Sequence, residues 1–240
     1  MNRVALAAVA LALVIAPGGG AKGQARLTVL AASSLTDVFP LIDGSESYSF
    51  AGSNQLAFQI RHGAPADVFA SASPSYAQEL FRDGLVERPR TFASNALVLA
   101  VPRSNPAGVH AIWDLRDKKV RLVIGSPAVP IGDYTRRVLR RLGLASVLDK
   151  AVSQEPDVKS IVGKLALGEA DAGFVYRTDV RAASGRLRAV SIPAWAQPAV
   201  RYQVAVVRSS RSRPAARRFV RLLSTPRARR LLIQAGFTVP

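Results

Sequence analysis

The chain alternates short apolar segments with helical segments over most of its length. Seven segments have the apolar character of strands, and they cover residues 27–31, 50–53, 67–70, 96–101, 121–124, 172–176 and 202–207. Between them, apolar residues recur at helical spacing and end at a glycine stop signal. Strands that alternate with helices favour parallel sheets covered by helices. The sequence therefore predicts an α/β fold.

The 215 residues after residue 25 suit one large or two small domains, and no internal repeat, low-complexity tract or obvious linker divides them. Two domains in such a chain are most naturally interleaved, with the backbone crossing between them more than once.

Residues 1–25 have the order of a secretory signal peptide. Arg3 supplies a positive start, residues 4–16 are almost entirely apolar, and small residues follow up to Ala25, after which we expect cleavage. The apolar run is shorter than the roughly 20 residues that span a bilayer, so a retained membrane anchor is the weaker alternative. The sequence predicts a periplasmic protein.

The composition limits what the exported protein can be. No cysteine is present, which excludes a lipid-anchored lipoprotein and any disulfide framework. The 33 basic residues outnumber the 16 acidic ones and give a net charge of +17. This surplus attracts nucleic acid, acidic lipid or small oxyanions, and the charge alone does not choose among them.

Residues that carry catalysis are scarce. The two histidines, His62 and His110, have no cysteine, second histidine or carboxylate at metal-ligand spacing. The nucleophile-elbow, phosphate-loop and dinucleotide fingerprints are missing from the sequence. Acids near element ends, such as Asp157 and Asp179, are expected to cap helices or face solvent. The sequence indicates neither an enzyme nor a resident metal or cofactor.

Pairs of arginines lie on amphipathic helices, opposite the apolar face, at 136–137, 140–141, 217–218 and 229–230. A solvated helix face explains them most simply. Binding of nucleic acid would require aromatic residues interleaved with the charge, and aromatic residues make up only 7% of the chain. We therefore expect no nucleic-acid partner.

Two serine-bearing turns follow predicted strands, at residues 31–37 (AASSLTD) and 51–54 (AGSN). Ser34 is expected to cap a helix, with Asp37 as its capping-box partner. Helix N-termini carry unpaired N–H groups and partial positive charge, so two that converge at the carboxyl ends of neighbouring strands form an anion site. The alternative is that these serines are helix caps only.

Nine sequence tags resemble the molybdate-binding proteins of ABC importers. In chain order they are 27–37 (LTVLAASSLTD), 50–56 (FAGSNQL), 63–73 (GAPADVFASAS), 95–102 (NALVLAVP), 130–134 (PIGDY), 157–159 (DVK), 173–179 (GFVYRTD), 202–207 (YQVAVV) and 235–237 (AGF). Each tag alone is weak. Together they follow the family's order over essentially all of the chain after residue 25.

The resemblance implies a type II periplasmic-binding-protein fold, with two α/β lobes of mixed or parallel sheets joined by two crossing strands. Crossings near residues 97–101 and 202–206 would divide the chain. The first lobe is then 26–96 plus 203–240, and the second is 97–202. A hinge between the lobes would close them on the ligand.

The resemblance also implies five molybdate-binding residues, which are Ser34, Ser53, Ile131, Val158 and Tyr176. The serines and the tyrosine would bind through hydroxyls, and Ile131 and Val158 through backbone N–H groups. A rigid cage of neutral donors would penalise a smaller sulfate and a protonated phosphate. From the residues alone, Tyr176, Ile131 and Val158 would be read as core.

The sequence departs from the family in three places. Only 19 residues separate Ser34 from Ser53, so the first helix must be truncated. Ser33 replaces the usual alanine, and Ile131 is bulkier than the small residue often found there. Asp157 lies next to the implied anion in sequence. We expect it to cap its own helix and point away, because a nearby carboxylate would repel the ligand.

The resemblance implies a monomeric carrier that captures molybdate or tungstate and delivers it to an ABC permease in the membrane. Three alternatives stay open. They are a carrier for another anion such as sulfate, phosphate or a small carboxylate, an exported enzyme, and a basic protein that binds acidic lipid or polymer.

Overall fold

A computed structural model describes residues 26–117 and 119–240, and the predicted export signal lies outside these residues. The strands are β1 Thr28–Ala32, β2 Ser47–Ala51, β3 Val68–Ser71, β4 Arg90–Asn95, β5 Leu97–Pro102, β6 Leu122–Gly125, β7 Ala151–Glu155, β8 Ala172–Tyr176, β9 Leu187–Val190 and β10 Val200–Val206. The α-helices are α1 Phe39–Ile42, α2 Ser53–Arg61, α3 Pro74–Arg82, α4 Asp114–Asp117, α5 Pro130–Arg141, α6 Val158–Ala166, α7 Arg177–Ala182, α8 Arg213–Leu222 and α9 Pro226–Gln234. Across the described ranges, every helix is too short or too polar to cross a membrane.

The strands form two five-stranded sheets that share one pattern of parallel and antiparallel pairing. The first has the order β2-β1-β3-β10-β4 and the second β7-β6-β8-β5-β9. In the first sheet β1 runs parallel to β2 and β3, and β10 runs antiparallel to β3 and β4. In the second, β6 runs parallel to β7 and β8, and β5 runs antiparallel to β8 and β9. Helices flank both sheets, so the α/β class with mixed sheets is confirmed.

The chain passes between the two sheets twice. It leaves the first sheet at Ala96, between β4 and β5, and it returns across residues 191–199, between β9 and β10. Pairing of β10 with β4 begins at Val200 and Asn95, so all of β10, with Tyr202, lies in the first sheet. The family resemblance placed the second boundary between the lobes just after Tyr202, within β10, whereas the crossing in the structure precedes Val200. We call the elements around the first sheet the first lobe and those around the second sheet the second lobe.

Apolar packing holds each lobe together and continues through the crossing. The largest cluster of buried side chains includes Phe39 and Tyr202 of the first lobe and Leu97 and Phe174 of the second. A smaller cluster, with Leu56 of α2 and Leu80 of α3 among its members, packs these helices under the first sheet. Because such packing fixes the helix axes, it also fixes where the helix N-termini lie.

Candidate ligand-binding site between the two lobes

A small cavity lies between the lobes. First-lobe residues on its wall are Ala32, Ser33, Ser34, Ala51, Gly52, Ser53 and Ala72. Second-lobe residues on its wall are Val129, Pro130, Ile131, Val158 and Tyr176. The structure thus brings all five sequence-predicted residues to one cavity. Every wall residue except Ala51 is buried, so little of the cavity is open to solvent.

Three helices begin at the cavity wall. Ser53 is the first residue of α2, Ile131 is the second of α5, and Val158 is the first of α6. N–H groups in the first turn of a helix have no acceptor within that helix, and the dipole gives this end a partial positive charge. The three N-termini therefore supply backbone donors and positive potential without a cationic side chain.

Tyr176 supplies a phenolic hydroxyl at the end of β8. The side chain is 1% exposed, and its hydroxyl has no hydrogen-bond partner among the described residues. Burial raises the pKa of Tyr176 well above its ordinary value, so the hydroxyl remains a neutral donor. A buried hydroxyl without a partner costs about 1–3 kcal/mol, which a ligand that accepts a hydrogen bond from it would recover.

Ser34 lies in a short 3-10 helix, Ser33–Leu35, that follows β1 directly. Its Oγ is 2.8 Å from the Tyr202 hydroxyl, which also accepts from Asn95 Nδ2 at 3.4 Å. The predicted capping box is wrong, because the N-cap residue is Ala32 rather than Ser34 and no side chain caps this helix. The expected truncation of the first helix is confirmed, since α1 has only four residues.

Ser53 is held by the neighbouring strand connection. Its Oγ accepts a hydrogen bond from the Ala72 N–H at 3.1 Å, and the residue is 1% exposed. A hydroxyl that accepts at its oxygen keeps its own proton to donate. Ser53 is therefore oriented as a donor at the cavity wall.

Asp157 caps its own helix, as predicted. Its Oδ1 accepts from the Ser160 N–H at 3.0 Å, and its Oδ2 accepts from the Ser160 hydroxyl at 3.3 Å. Both oxygens are thus engaged with the first turn of α6. This leaves the Val158 N–H beside the cavity while the carboxylate faces the helix.

Contacts between the lobes surround the cavity. The Tyr134 hydroxyl donates to the Ala72 carbonyl at 3.3 Å, and the Lys159 ammonium pairs with the Asp37 carboxylate. A Cβ added at Gly52 would lie only 2.5 Å from the carbonyl oxygen of Pro156 in the other lobe. The lobes therefore meet closely on the first-lobe backbone at Gly52, where only a glycine fits.

Asp179 lies in the first turn of α7, three residues after Tyr176, and is 1% exposed. Its Oδ2 accepts from the Tyr176 N–H at 3.0 Å, its Oδ1 has no hydrogen-bond partner among the described residues, and the Lys159 ammonium is 3.9 Å away. Burial raises the pKa of Asp179 to about 7, against the opposing effect of Lys159. The predicted cap role of Asp179 is confirmed, because its Oδ2 accepts from the N–H of Tyr176, the N-cap residue of α7. Its depth of burial was missed.

The cavity is suited to an anion with several acceptor oxygens. Its donors are hydroxyls and backbone N–H groups from both lobes, and no charged side chain is among the described residues of its wall. No group of three or more metal-ligating side chains is found within 26–117 and 119–240.

Comparison with known proteins places the chain in a family. A family model described as bacterial extracellular solute-binding protein matches residues 47–238. The molybdate-binding protein ModA of Mycobacterium tuberculosis is 32% identical over 93% of this chain and 88% of its own length. The chain belongs to the bacterial extracellular solute-binding proteins. Both matches confirm the family that the sequence tags indicated.

Solved structures support the fold. The periplasmic molybdate-binding protein of Azotobacter vinelandii aligns with a TM-score of 0.77 at 23% identity, over 90% of this chain and all of that chain. The sulfate-binding protein SubI of Mycobacterium tuberculosis aligns with a TM-score of 0.74 at 18% identity, over 88% of this chain and 86% of that chain. At these identities the likeness shows the two-lobed fold alone.

Proposed function

We propose that the protein binds molybdate, or tungstate, in the cavity between its lobes and delivers it to an ABC import permease. It works as a monomer in the periplasm after export and cleavage near Ala25, and it needs no cofactor besides its cargo. One observation carries the proposal above all. A cavity with buried walls gathers uncharged donors from both lobes, and one of them, the Tyr176 hydroxyl, is buried without a hydrogen-bond partner among the described residues.

The proposed contacts distribute the ion's charge over many donors. A tetrahedral dianion presents four oxygens, and each can accept more than one hydrogen bond. Ser34, Ser53 and Tyr176 donate through hydroxyls, and Ile131 and Val158 through backbone N–H groups. Hydrogen bonds to a charged acceptor are stronger than those between neutral groups. The three helix N-termini add favourable potential at the same point.

Selectivity follows from the same donors. A protonated phosphate must itself donate a hydrogen bond, and the described residues on the cavity wall include no carboxylate to accept it. Asp157 Oδ1 and Asp179 Oδ2 accept from backbone N–H groups instead. A buried donor without an acceptor is penalised. Sulfate is the smaller dianion, so it cannot reach donors that two packed lobes hold at a fixed separation.

Molybdenum content tests the proposal directly. Protein purified from cells grown with molybdate should carry stoichiometric molybdenum by mass spectrometry after extensive dialysis, and tungsten should replace it when tungstate is supplied. Protein that acquires neither element under these conditions would refute the proposed cargo.

Ser34→Ala should weaken molybdate binding by about 1–2 kcal/mol, because one buried donor to the ion is lost. Calorimetric titration measures the change. The matched control is Ser209→Ala, which removes an exposed hydroxyl from the first lobe and should leave affinity unchanged. Equal affinities for the two variants would remove Ser34 from the ligand shell.

The pKa of Asp179 predicts how stability and affinity depend on pH. Between its ordinary pKa of 3.8 and its folded-state value of about 7, the folded protein keeps a proton that the unfolded chain has lost. Stability should therefore fall by about 1–4 kcal/mol as pH rises through this range, and then level off. Affinity should also fall near pH 7, because a charged Asp179 behind Tyr176 repels the anion.

Asp179→Asn should remove both effects, because an amide does not titrate in this pH range. The amide oxygen can still accept the hydrogen bond from the Tyr176 N–H. Denaturant unfolding and calorimetry at several pH values measure them. Asp149→Asn, at an exposed position, serves as the control. If the Asp179→Asn profiles match those of the unaltered protein, the buried carboxyl does not titrate in this range.

A further inference from the structure

The positive charge of the chain is concentrated at its C-terminal end. Residues 201–240 contain ten arginines and neither aspartate nor glutamate. All ten arginines are exposed. The cavity between the lobes uses none of them, because no charged side chain is among the described residues of its wall. This part of the first lobe therefore has a charged surface that the proposed transport function does not explain.

Part of this surface is an open groove between α8 and β4, on the first lobe. Two arginines from the β4 side, Arg88 and Arg90, and two from α8, Arg217 and Arg221, line it. Arg213 lies one turn before Arg217 on α8. Since residues four apart share a helix face, Arg213, Arg217 and Arg221 form one stripe. We call these residues the arginine groove.

One carboxylate lies among these arginines. Glu87 accepts from Arg217 through two nitrogens, with Nη2 to Oε1 at 2.5 Å and Nε to Oε2 at 3.1 Å. The hydrogen bond from Arg217 lowers the pKa of Glu87, and the charges of Arg208 and Arg213 lower it further. In the part of the chain that the structure describes, no ion pair involves Arg88, Arg90, Arg213 or Arg221. The groove thus has a large excess of positive charge.

We propose that the arginine groove docks the protein on the anionic phospholipid surface of the membrane. Guanidinium groups present flat, forked donors that match phosphate oxygens, and they hold their charge at every physiological pH. Arginines spread along a helix and a neighbouring strand can contact several headgroups at once. Basic residues near an anionic bilayer each add to the attraction, and salt screens it. Docking would keep the carrier close to a membrane partner.

The composition of the groove favours lipid over other polyanions. Its wall consists of Arg, Glu, Pro, Val and Ala side chains and holds no aromatic ring on which a base could stack. Protein interfaces are enriched in aromatic residues as well as in arginine, and the described wall of this groove has the arginines without the aromatic residues. The oxyanion cavity differs again, because its described wall residues are nearly all buried and its donors are neutral.

Vesicle sedimentation tests the proposal with protein that comprises residues 26–240, which contain both described lobes. The unaltered protein should bind vesicles of phosphatidylglycerol and phosphatidylcholine at low salt, release at high salt, and ignore vesicles of phosphatidylcholine alone. The triple variant Arg88→Gln, Arg213→Gln, Arg221→Gln should bind the anionic vesicles on the order of 100-fold more weakly. Its melting temperature and molybdate affinity should not change.

A second triple variant controls for net charge. Arg103→Gln, Arg140→Gln, Arg188→Gln removes three exposed arginines from the second lobe and should keep most of the vesicle binding. Any of three results would overturn the proposal. The first is an equal loss of vesicle binding in the two triple variants, and the second is no vesicle binding by the unaltered protein. The third is salt-sensitive binding to duplex DNA without binding to vesicles. Molybdate titration is measured separately, so failure of lipid docking and failure of the transport function are distinguishable.

Discussion

Gly52→Val is expected to abolish tight molybdate binding, with a loss of affinity of more than about 100-fold. The added Cβ would lie 2.5 Å from the Pro156 carbonyl oxygen, which belongs to the backbone of the opposite lobe. The Pro156 backbone cannot move far enough to relieve this overlap with the added Cβ unless the two lobes separate. The closed form would become a minor state, and apparent affinity falls in proportion to the population of the binding-competent form.

The Gly52→Val effect should come from contact rather than from backbone strain. Gly52 has φ −61° and ψ 136°, which valine adopts readily. Gly163→Ala is the matched control, because a Cβ added at Gly163 on α6 meets nothing within 4 Å. Calorimetry measures affinity, and small-angle scattering measures whether molybdate still compacts the protein. If Gly52→Val binds as tightly as Gly163→Ala, contact of the lobes at this point is unnecessary for binding.

Tyr176→Phe is expected to weaken molybdate binding by about 1.5–3 kcal/mol, because a hydrogen bond to a charged acceptor is lost. The same change should leave the ligand-free protein at least as stable as before. The Tyr176 hydroxyl is buried without a partner among the described residues, so its removal leaves no donor or acceptor unpaired. Calorimetric titration and denaturant unfolding of the ligand-free protein measure the two effects.

Tyr202→Phe provides the comparison for Tyr176→Phe. Its hydroxyl is buried at a similar depth, but it is hydrogen-bonded to Ser34 and Asn95. We expect this variant to lose about 1 kcal/mol of stability without ligand. If instead Tyr176→Phe lowers the stability of the ligand-free protein and leaves affinity intact, the Tyr176 hydroxyl has a structural role and the proposed ligand shell is wrong.

Much of the fold follows from local patterns in the sequence. Apolar runs predict β1, β2, β3, β5, β6, β8 and β10, and helical spacing with a glycine stop predicts α5. Local patterns do not show that β5 pairs antiparallel with β8, because these strands are far apart in the chain. The mixed sheets and the two lobes were therefore expected from the family resemblance rather than from periodicity.

The candidate site was predictable only in part. Ser34 and Ser53 follow strands in small, polar turns, which gives them a recognisable signature. Ile131 and Val158 would contribute backbone N–H groups, and a backbone group leaves no signature in residue type. Tyr202 was missed as the partner of Ser34, since 168 residues separate them and only the folded chain brings them together.

Titration calorimetry on ligand-free protein tests most directly whether neutral donors from the two lobes hold the ion. Molybdate and tungstate should each bind tightly at a single site per chain, and sulfate and phosphate should bind far more weakly or without measurable heat. If neither molybdate nor tungstate produces heat, or if sulfate competes with them on equal terms, the account of the cavity as a molybdate site is contradicted.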